Sequence, residues 1–189
     1  MEIITPNMAE TVRGFTGSGL KSVLVAGSGP EKMPEWAENN FSDTYLDIEP
    51  RNNPDILASM TAMGEIGPYD VVFCCHALEH VYPHEVNRAL KEFLRVLKPG
   101  GVAVILVPDL EDVKPNGDVL NYPTAGRICG LHLFYGDMAQ IEQFPYMAHH
   151  CGFVKETLKD ALQQAGFWKC ETSRLEHYNL LGVGLKAND

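Results

Sequence analysis

The chain is short of positive charge: 15 Lys and Arg stand against 25 Asp and Glu in 189 residues, a formal net charge of −10. An acidic chain with no Lys/Arg cluster lacks the electrostatic footprint that a phosphate backbone requires, so nucleic acid is unlikely as a partner. Paired cysteines are also missing. The five cysteines (Cys74, Cys75, Cys129, Cys151, Cys170) are odd in number and include no CxxC, which argues for reduced thiols and a cytoplasmic protein. No apolar run is long enough to span a membrane. The first 19 residues have no basic start and no sustained apolar stretch, so no secretory leader is expected. Internal repeats are absent as well. What remains is a globular composition, 45% hydrophobic and 21% charged, long enough for one domain with a sizeable core.

The richest local pattern is Val23-Leu24-Val25-Ala26-Gly27-Ser28-Gly29-Pro30, followed by Asp47 at the end of the next apolar run. It reads as strand, glycine turn, second strand and a carboxylate at that strand's tip. Open parallel sheets hold adenosine-containing ligands this way: glycines let the backbone approach, and the acid accepts from the ribose hydroxyls. A dinucleotide fingerprint would need a third glycine three residues after the second, where helix and strand pack closely. Lys32 occupies that position, with Pro30 and Pro34 beside it. A nucleoside ligand without phosphates fits better, and a nicotinamide oxidoreductase is disfavoured.

The rest of the chain supports an α/β layout. Residues 1–20 are polar and glycine-containing, and read as a flexible lead-in. Strands are expected at Ser22–Ala26, Thr44–Ile48 and Asp55–Ala58, with at most a short helix over Glu31–Asn40. Tyr69–Cys75 is apolar apart from Asp70, as for a strand buried on both faces. A helix is expected from Pro83, with Val86, Ala89, Leu90, Phe93, Leu94 and Leu97 on one face and Pro99-Gly100-Gly101 as its stop. Val102–Val107 follows as a strand. Residues 109–152 hold many Gly, Pro, Tyr and His without periodicity, and read as an irregular lid on the substrate side. A helix over Val154–Ala165 ended by Gly166, then strands Phe167–Ser173 and Tyr178–Lys186, complete the chain.

Two further segments carry a family resemblance. Tyr69-Asp70-Val71-Val72-Phe73-Cys74-Cys75-His76-Ala77-Leu78-Glu79-His80 resembles the fourth-strand motif of class I S-adenosylmethionine (SAM)-dependent methyltransferases, of the small type 11 branch. Glu92-Phe93-Leu94-Arg95-Val96-Leu97-Lys98-Pro99-Gly100-Gly101 resembles their helix-to-fifth-strand motif. With the glycine turn and Asp47, four motifs stand in order between about Lys21 and Pro108. The resemblance implies a Rossmann-like α/β fold: a seven-stranded, mostly parallel sheet whose last strand is antiparallel. It implies one domain over residues 1–189, and SAM as cofactor.

It also assigns roles. Gly27, Ser28 and Gly29 would pass under the methionine and ribose, Asp47 would hold the ribose diol, and Ile48 would pack on adenine. The family's usual acid for the adenine amino group is replaced by Ser59, followed by Met60, with Asp55 as a nearby substitute. Val25 stands where many relatives carry an acid or amide for the cofactor's amino group. Cys75 and His76 would line the sulfonium side. His76 is the leading candidate near the reaction centre, although His76 and His80 could equally cap the loop and pack. In the lid, Tyr135 and either His149 or His150 are candidates to line the acceptor pocket or take its proton. The spacing of Cys129, His132, His149, His150 and Cys151 fits no recognised zinc pattern, so no metal is expected. The function expected is methyl transfer to a small or medium polar acceptor. A non-catalytic SAM-binding protein on the same fold is the alternative, motivated by Val25 and Ser59.

Overall fold

The computed structural model describes residues 21–30, 41–116, 119–122 and 126–188. The lead-in, the short helix after the first strand and Lys32 lie outside them. β1 (Lys21–Ala26), β2 (Phe41–Asp47), β3 (Ile56–Leu57), β4 (Tyr69–Cys75), β5 (Leu97–Pro108), β8 (Lys169–Leu175) and β9 (Asn179–Leu185) form one sheet. A separate hairpin is made by β6 (Val119–Tyr122) and β7 (Gly126–Cys129). The sheet order is β3-β2-β1-β4-β5-β9-β8. All pairings from β3 through β5 are parallel, while β9 runs antiparallel between β5 and β8. This is the expected seven-stranded sheet, with the antiparallel strand inside it rather than at its edge.

The alternation of side chains across the strands builds two cores. Leu24, Leu46, Val72, Cys74, Ala103 and Ile105 face α1 (Val86–Val96) and a later helix over Lys155–Ala165. Val86, Ala89, Leu90, Phe93 and Val96 are the buried stripe of α1, at the helical spacing read from the sequence. Val23, Val25, Tyr45, Val71, Phe73, Val104 and Leu106 pack together on the opposite face. Every residue from Val102 to Pro108 of β5 is buried, as a strand covered on both sides must be.

Strand ends shift by a few residues from the sequence expectation, β2 and β5 starting earlier at Phe41 and Leu97, and the larger differences lie in the helix and the lid. The helix begins at Val86 rather than Pro83, and Glu85 N–H closes a turn onto Tyr82 O at 2.8 Å. It ends at Val96 rather than at the Pro-Gly-Gly stop, because Leu97 turns extended and pairs with Tyr69. Residues 109–152 are not irregular throughout. They contain the β6–β7 hairpin, α2 (Gly130–Tyr135) and α3 (Met138–Ile141), elements too short to show a period. The last helix, α4 (Lys155–Ala165), ends at Gly166 with φ of 105°, as the glycine predicts.

The N-terminal ends of β1, β4 and β5 are clamped by one carboxylate. Asp70 Oδ2 accepts from Ser22 N and Oγ, each at 2.8 Å, and from Lys98 Nζ at 2.9 Å. Partial burial pushes this carboxyl up, but Lys98 and Ser22 outweigh it and hold it below its ordinary value. A lowered folded-state value stabilises the fold above the unfolded pKa of ~3.9, and that contribution disappears as pH falls through the folded value. Asp70→Asn is therefore expected to lower the melting temperature at neutral pH. The gap to the parent should close in the acid limb, as read by thermal melts at stepped pH.

Candidate functional site

The ends of β1 and β2 bring Gly27, Ser28, Gly29 and Asp47 together. β1 stops at a turn where Gly27 and Gly29 take φ of 69° and 61°. Gly27 N and Ser28 N both donate to Leu46 O, at 2.8 and 3.2 Å, which fixes the turn against β2. Asp47, only 7% exposed, closes the arrangement from β2: Oδ2 accepts from Gly29 N at 2.7 Å and Oδ1 from Glu49 N at 2.8 Å. The acid and the glycine turn are thus one hydrogen-bonded unit. Ile48 beside it is exposed and available to pack on a planar ring.

A side chain at Gly27 would overlap the Ala77 Cβ and approach Met60 Cε to 3.2 Å. Three segments therefore converge on that point: the end of β1, the Met60 loop and the turn after β4. A side chain at Gly29 would meet nothing within 4 Å among the described residues. Among the described residues, its left-handed backbone is the one demand there.

The two departures from the family pattern have local explanations. Val25 is buried in the second core with Tyr45 and Phe73. Ser59 Oγ lies 2.9 Å from Thr61 Oγ1 and accepts from Thr61 N at 3.2 Å. Asp55 accepts from Tyr45 N at 2.8 Å, so its carboxylate helps to join β3 to β2. Beyond β2, Glu49 and Arg51 pair at 2.7 Å, and this pairing holds the Glu49 carboxyl down at about 2. Arg51 also reaches segment 143–144, donating to Gln143 O at 3.2 Å and lying 4.3 Å over the Phe144 ring.

At the end of β4 the structure assembles a cluster that the sequence reading did not assign. His76 follows the strand with φ of 49°, a conformation sparsely used by residues with a Cβ and worth noting at a site. Its Nε2 lies 2.9 Å from Asn179 Oδ1, while Nδ1 lies 3.4 Å from Glu79 Oε1. Asn179 Nδ2 donates to Glu176 O at 2.9 Å, which leaves its Oδ1 as acceptor for the histidine. Glu79 is 1% exposed, and both its carboxylate oxygens are buried with no hydrogen-bond donor in place among the described residues. His149 Nε2 approaches the same Oε1 at 4.0 Å.

Backbone bonds create this meeting across seventy residues. Glu79 O accepts from both His150 N and Cys151 N, at 2.9 and 3.2 Å, which docks the end of segment 109–152 onto the turn after β4. Burial pushes the Glu79 carboxyl up, but His76, His80 and His149 outweigh burial and hold it below its ordinary value. Burial lowers the His149 imidazole, and the attraction of Glu79 opposes this only in part. Cys74, wholly buried, is held well above an ordinary thiol by burial. Burial likewise pushes Cys151 up to about 12, so both are poor nucleophiles.

The adjacent histidines of the lid segment diverge. His149 turns inward to Glu79, whereas His150 is exposed and stacks on Tyr82 at 4.2 Å. The Tyr135 ring is 59% exposed, and the residue contributes its backbone carbonyl to His149 N at 3.1 Å. Of the four candidates for chemistry, His76 and His149 are brought together and His150 and Tyr135 are not. Glu79 and Asn179 are the missed residues. The only sequence signal for Glu79 was its place in His76-x-x-Glu79-His80.

A doubly wound sheet of this order, with a glycine turn and an acid at the carboxyl ends of its first two strands, defines the Rossmann-like class I methyltransferase architecture. The chain belongs to the methyltransferase-domain family, whose model matches residues 9–171. No individually curated protein matches. Solved structures agree with the fold. DesVI of Streptomyces venezuelae aligns with TM-score 0.67 at 15% identity, covering 96% of this chain and 89% of that one. A SAM-dependent methyltransferase from Archaeoglobus fulgidus aligns with TM-score 0.66 at 15% identity, covering 98% and 94%. The 1,6-didemethyltoxoflavin-N1-methyltransferase of Burkholderia thailandensis aligns with TM-score 0.63 at 14% identity, covering 96% and 77%. That enzyme was crystallised with 1,6-didemethyltoxoflavin and S-adenosylhomocysteine. No helix among the described residues is long and apolar enough to cross a membrane.

Proposed function

We propose that this chain transfers the methyl group of SAM to a small or medium polar acceptor. The observation that carries the reading is the unit formed by Asp47 with the Gly27–Gly29 turn at the carboxyl ends of β1 and β2. A ribose diol above Asp47 would meet a carboxylate whose two oxygens each retain acceptor capacity beside one backbone N–H. The adenine would lie toward Ile48, Ser59 and Met60. The methionine end would pass Gly27 toward Cys75 and His76, which puts the departing methyl at the end of β4. Segment 109–152 is then the substrate-side lid of a single domain, and His76 and His149 are the side chains that face the acceptor.

Displacement at the sulfonium carbon needs the acceptor atom in line with the methyl–sulfur bond, and positioning supplies much of such acceleration. With a net charge of −10, the chain is poorly suited to a nucleic-acid substrate. Five free thiols fit a reducing, cytoplasmic setting.

Titration calorimetry with SAM and S-adenosylhomocysteine is expected to give one site for each ligand. Release of S-adenosylhomocysteine in the presence of a polar acceptor panel is expected to follow. Absence of binding to either ligand overturns the reading. Binding without turnover across the panel instead favours the non-catalytic alternative, which Val25 in the core and Ser59 bonded to Thr61 both support.

A further inference from the structure

We propose that Glu79, His80 and His149 form a binding site for one divalent first-row transition-metal ion at the carboxyl end of β4. The metal ligand atoms these three residues offer all lie within 4.8 Å of one another. Glu79 supplies the reason to look for a cation. A carboxylate 1% exposed with no hydrogen bond to either oxygen among the described residues is rare in a native fold: the nearby imidazoles offset its desolvation through charge alone and leave both oxygens short of a donor. A metal ion among the three groups removes that deficit.

The two histidines are oriented as ligands. His80 Nδ1 lies 3.1 Å from Ala148 O, and His149 Nδ1 lies 3.0 Å from Leu133 O. A carbonyl can only accept, so each Nδ1 carries a proton, and in the neutral ring Nε2 is the nitrogen with a lone pair to offer a metal. Metal-bound histidines are tethered this way, with the second ring nitrogen held by a carbonyl or carboxylate. The rings stand edge-on to one another with centroids 4.9 Å apart. His76 Nδ1, 3.4 Å from Glu79 Oε1, borders the same space.

The donor set selects the ion. One carboxylate and two imidazoles suit zinc, iron, cobalt or manganese, whereas calcium and magnesium prefer oxygen donors alone. The neighbouring Cys151 Sγ is turned to the carbonyls of Leu78 and Glu79, at 3.6 and 3.7 Å, and is not a ligand. Bond lengths of about 2.1 Å put tetrahedral ligand atoms roughly 3.4 Å apart, so binding draws the three side chains in by about an ångström. Three protein ligands leave a coordination position for an outside oxygen or nitrogen. If methyl transfer is the activity, an acceptor held there would lose its proton more readily and stand beside the methyl group. That role rests on the proposed function, whereas metal binding does not.

The sequence expectation of no metal looked for mixed cysteine and histidine spacing in residues 129–151. Cys129 and His132 bond each other at 3.1 Å, and of that set His149 alone belongs to the proposed site, joined by Glu79 and His80 from the turn after β4.

The test uses the untagged full chain, stripped with chelator and titrated separately with Co²⁺, Zn²⁺ and Mn²⁺. Co²⁺ is expected to bind at one equivalent, with visible d–d absorption and a melting temperature that rises with free Co²⁺. Glu79→Gln and His149→Ala are each expected to weaken Co²⁺ at least about 100-fold, beyond the usual cost of losing an outer-shell partner. His150→Ala, next in sequence but facing outward, should bind Co²⁺ as the parent does. Circular dichroism identifies any variant that fails to fold, and the parent's own metal-dependent melting then decides. The proposal is overturned if the folded parent binds none of the three ions. It is equally overturned if both ligand variants, folded, bind Co²⁺ like the parent, or if His150→Ala loses it. Calorimetry with S-adenosylhomocysteine on the stripped protein separates loss of this proposal from loss of the methyltransferase reading.

Discussion

Asp47→Ala is expected to weaken binding of SAM and S-adenosylhomocysteine at least about 100-fold and to lower the melting temperature as well. Both effects come from the same two oxygens. In the ligand-free chain they accept from Gly29 N and Glu49 N. Removing them leaves two backbone donors at a largely buried strand end, at about 1–3 kcal/mol for each donor left unpaired. For a chain of this length, each kcal/mol shifts the melting temperature by roughly 2–4 °C. The binding loss adds the two ribose hydrogen bonds, each about 1.5–3 kcal/mol when the partner is charged. Asp47→Asn separates the two contributions. Its amide can keep one backbone bond but presents N–H to the other donor, so binding should fall nearly as far. Calorimetry and thermal melts on the two variants check this. Unchanged affinity in Asp47→Asn would remove the carboxylate from the cofactor site.

Gly27→Ala is expected to destabilise the fold by about 2–5 kcal/mol. The left-handed backbone at φ of 69° costs a residue with a Cβ roughly 1–2 kcal/mol. The overlap with the Ala77 Cβ adds the usual cost of overpacking, about 1–3 kcal/mol. Gly29→Ala carries only the first of these, because its Cβ meets nothing among the described residues within 4 Å. The two glycines, alike in sequence, should therefore differ in denaturant melts. Ala77→Gly should rescue Gly27→Ala by about 1 kcal/mol or more in a double-mutant cycle and should do nothing for Gly29→Ala. Equal losses at the two glycines, or no coupling to Ala77, would mean that close packing does not set the requirement at Gly27.

The features that were readable in advance are those governed by neighbours in sequence. The strand Tyr69–Cys75 with its buried Val71–Cys74, the stripe on α1, and Gly166 at the end of α4 each carry their signal within a dozen residues. The glycine turn and the strand-end acid were legible as neighbours on adjacent parallel strands, while the bond that joins Asp47 to Gly29 N was not read from the sequence. Glu79 was quoted in a motif and given no role. Its environment is made by His149, and that contact exists only because Glu79 O captures the backbone of His150 and Cys151. The same docking decides which of two adjacent histidines faces inward, something no periodicity in that segment records. Helices as short as α2 and α3 likewise leave too few turns for a repeat to emerge.

The place of β9 in the sheet sets an order of events during synthesis. It pairs with β5 on one side and β8 on the other, and carries Asn179, the partner of His76, at its start. A nascent chain halted before Asn179 would have made β8 and β5 but could not join them, and would present both as open edges. It would also lack the anchor that holds His76 at the end of β4. His76 therefore gains its Asn179 partner only after residues 179–185 have cleared the ribosome. Until then the incomplete chain exposes the surface that most needs a chaperone.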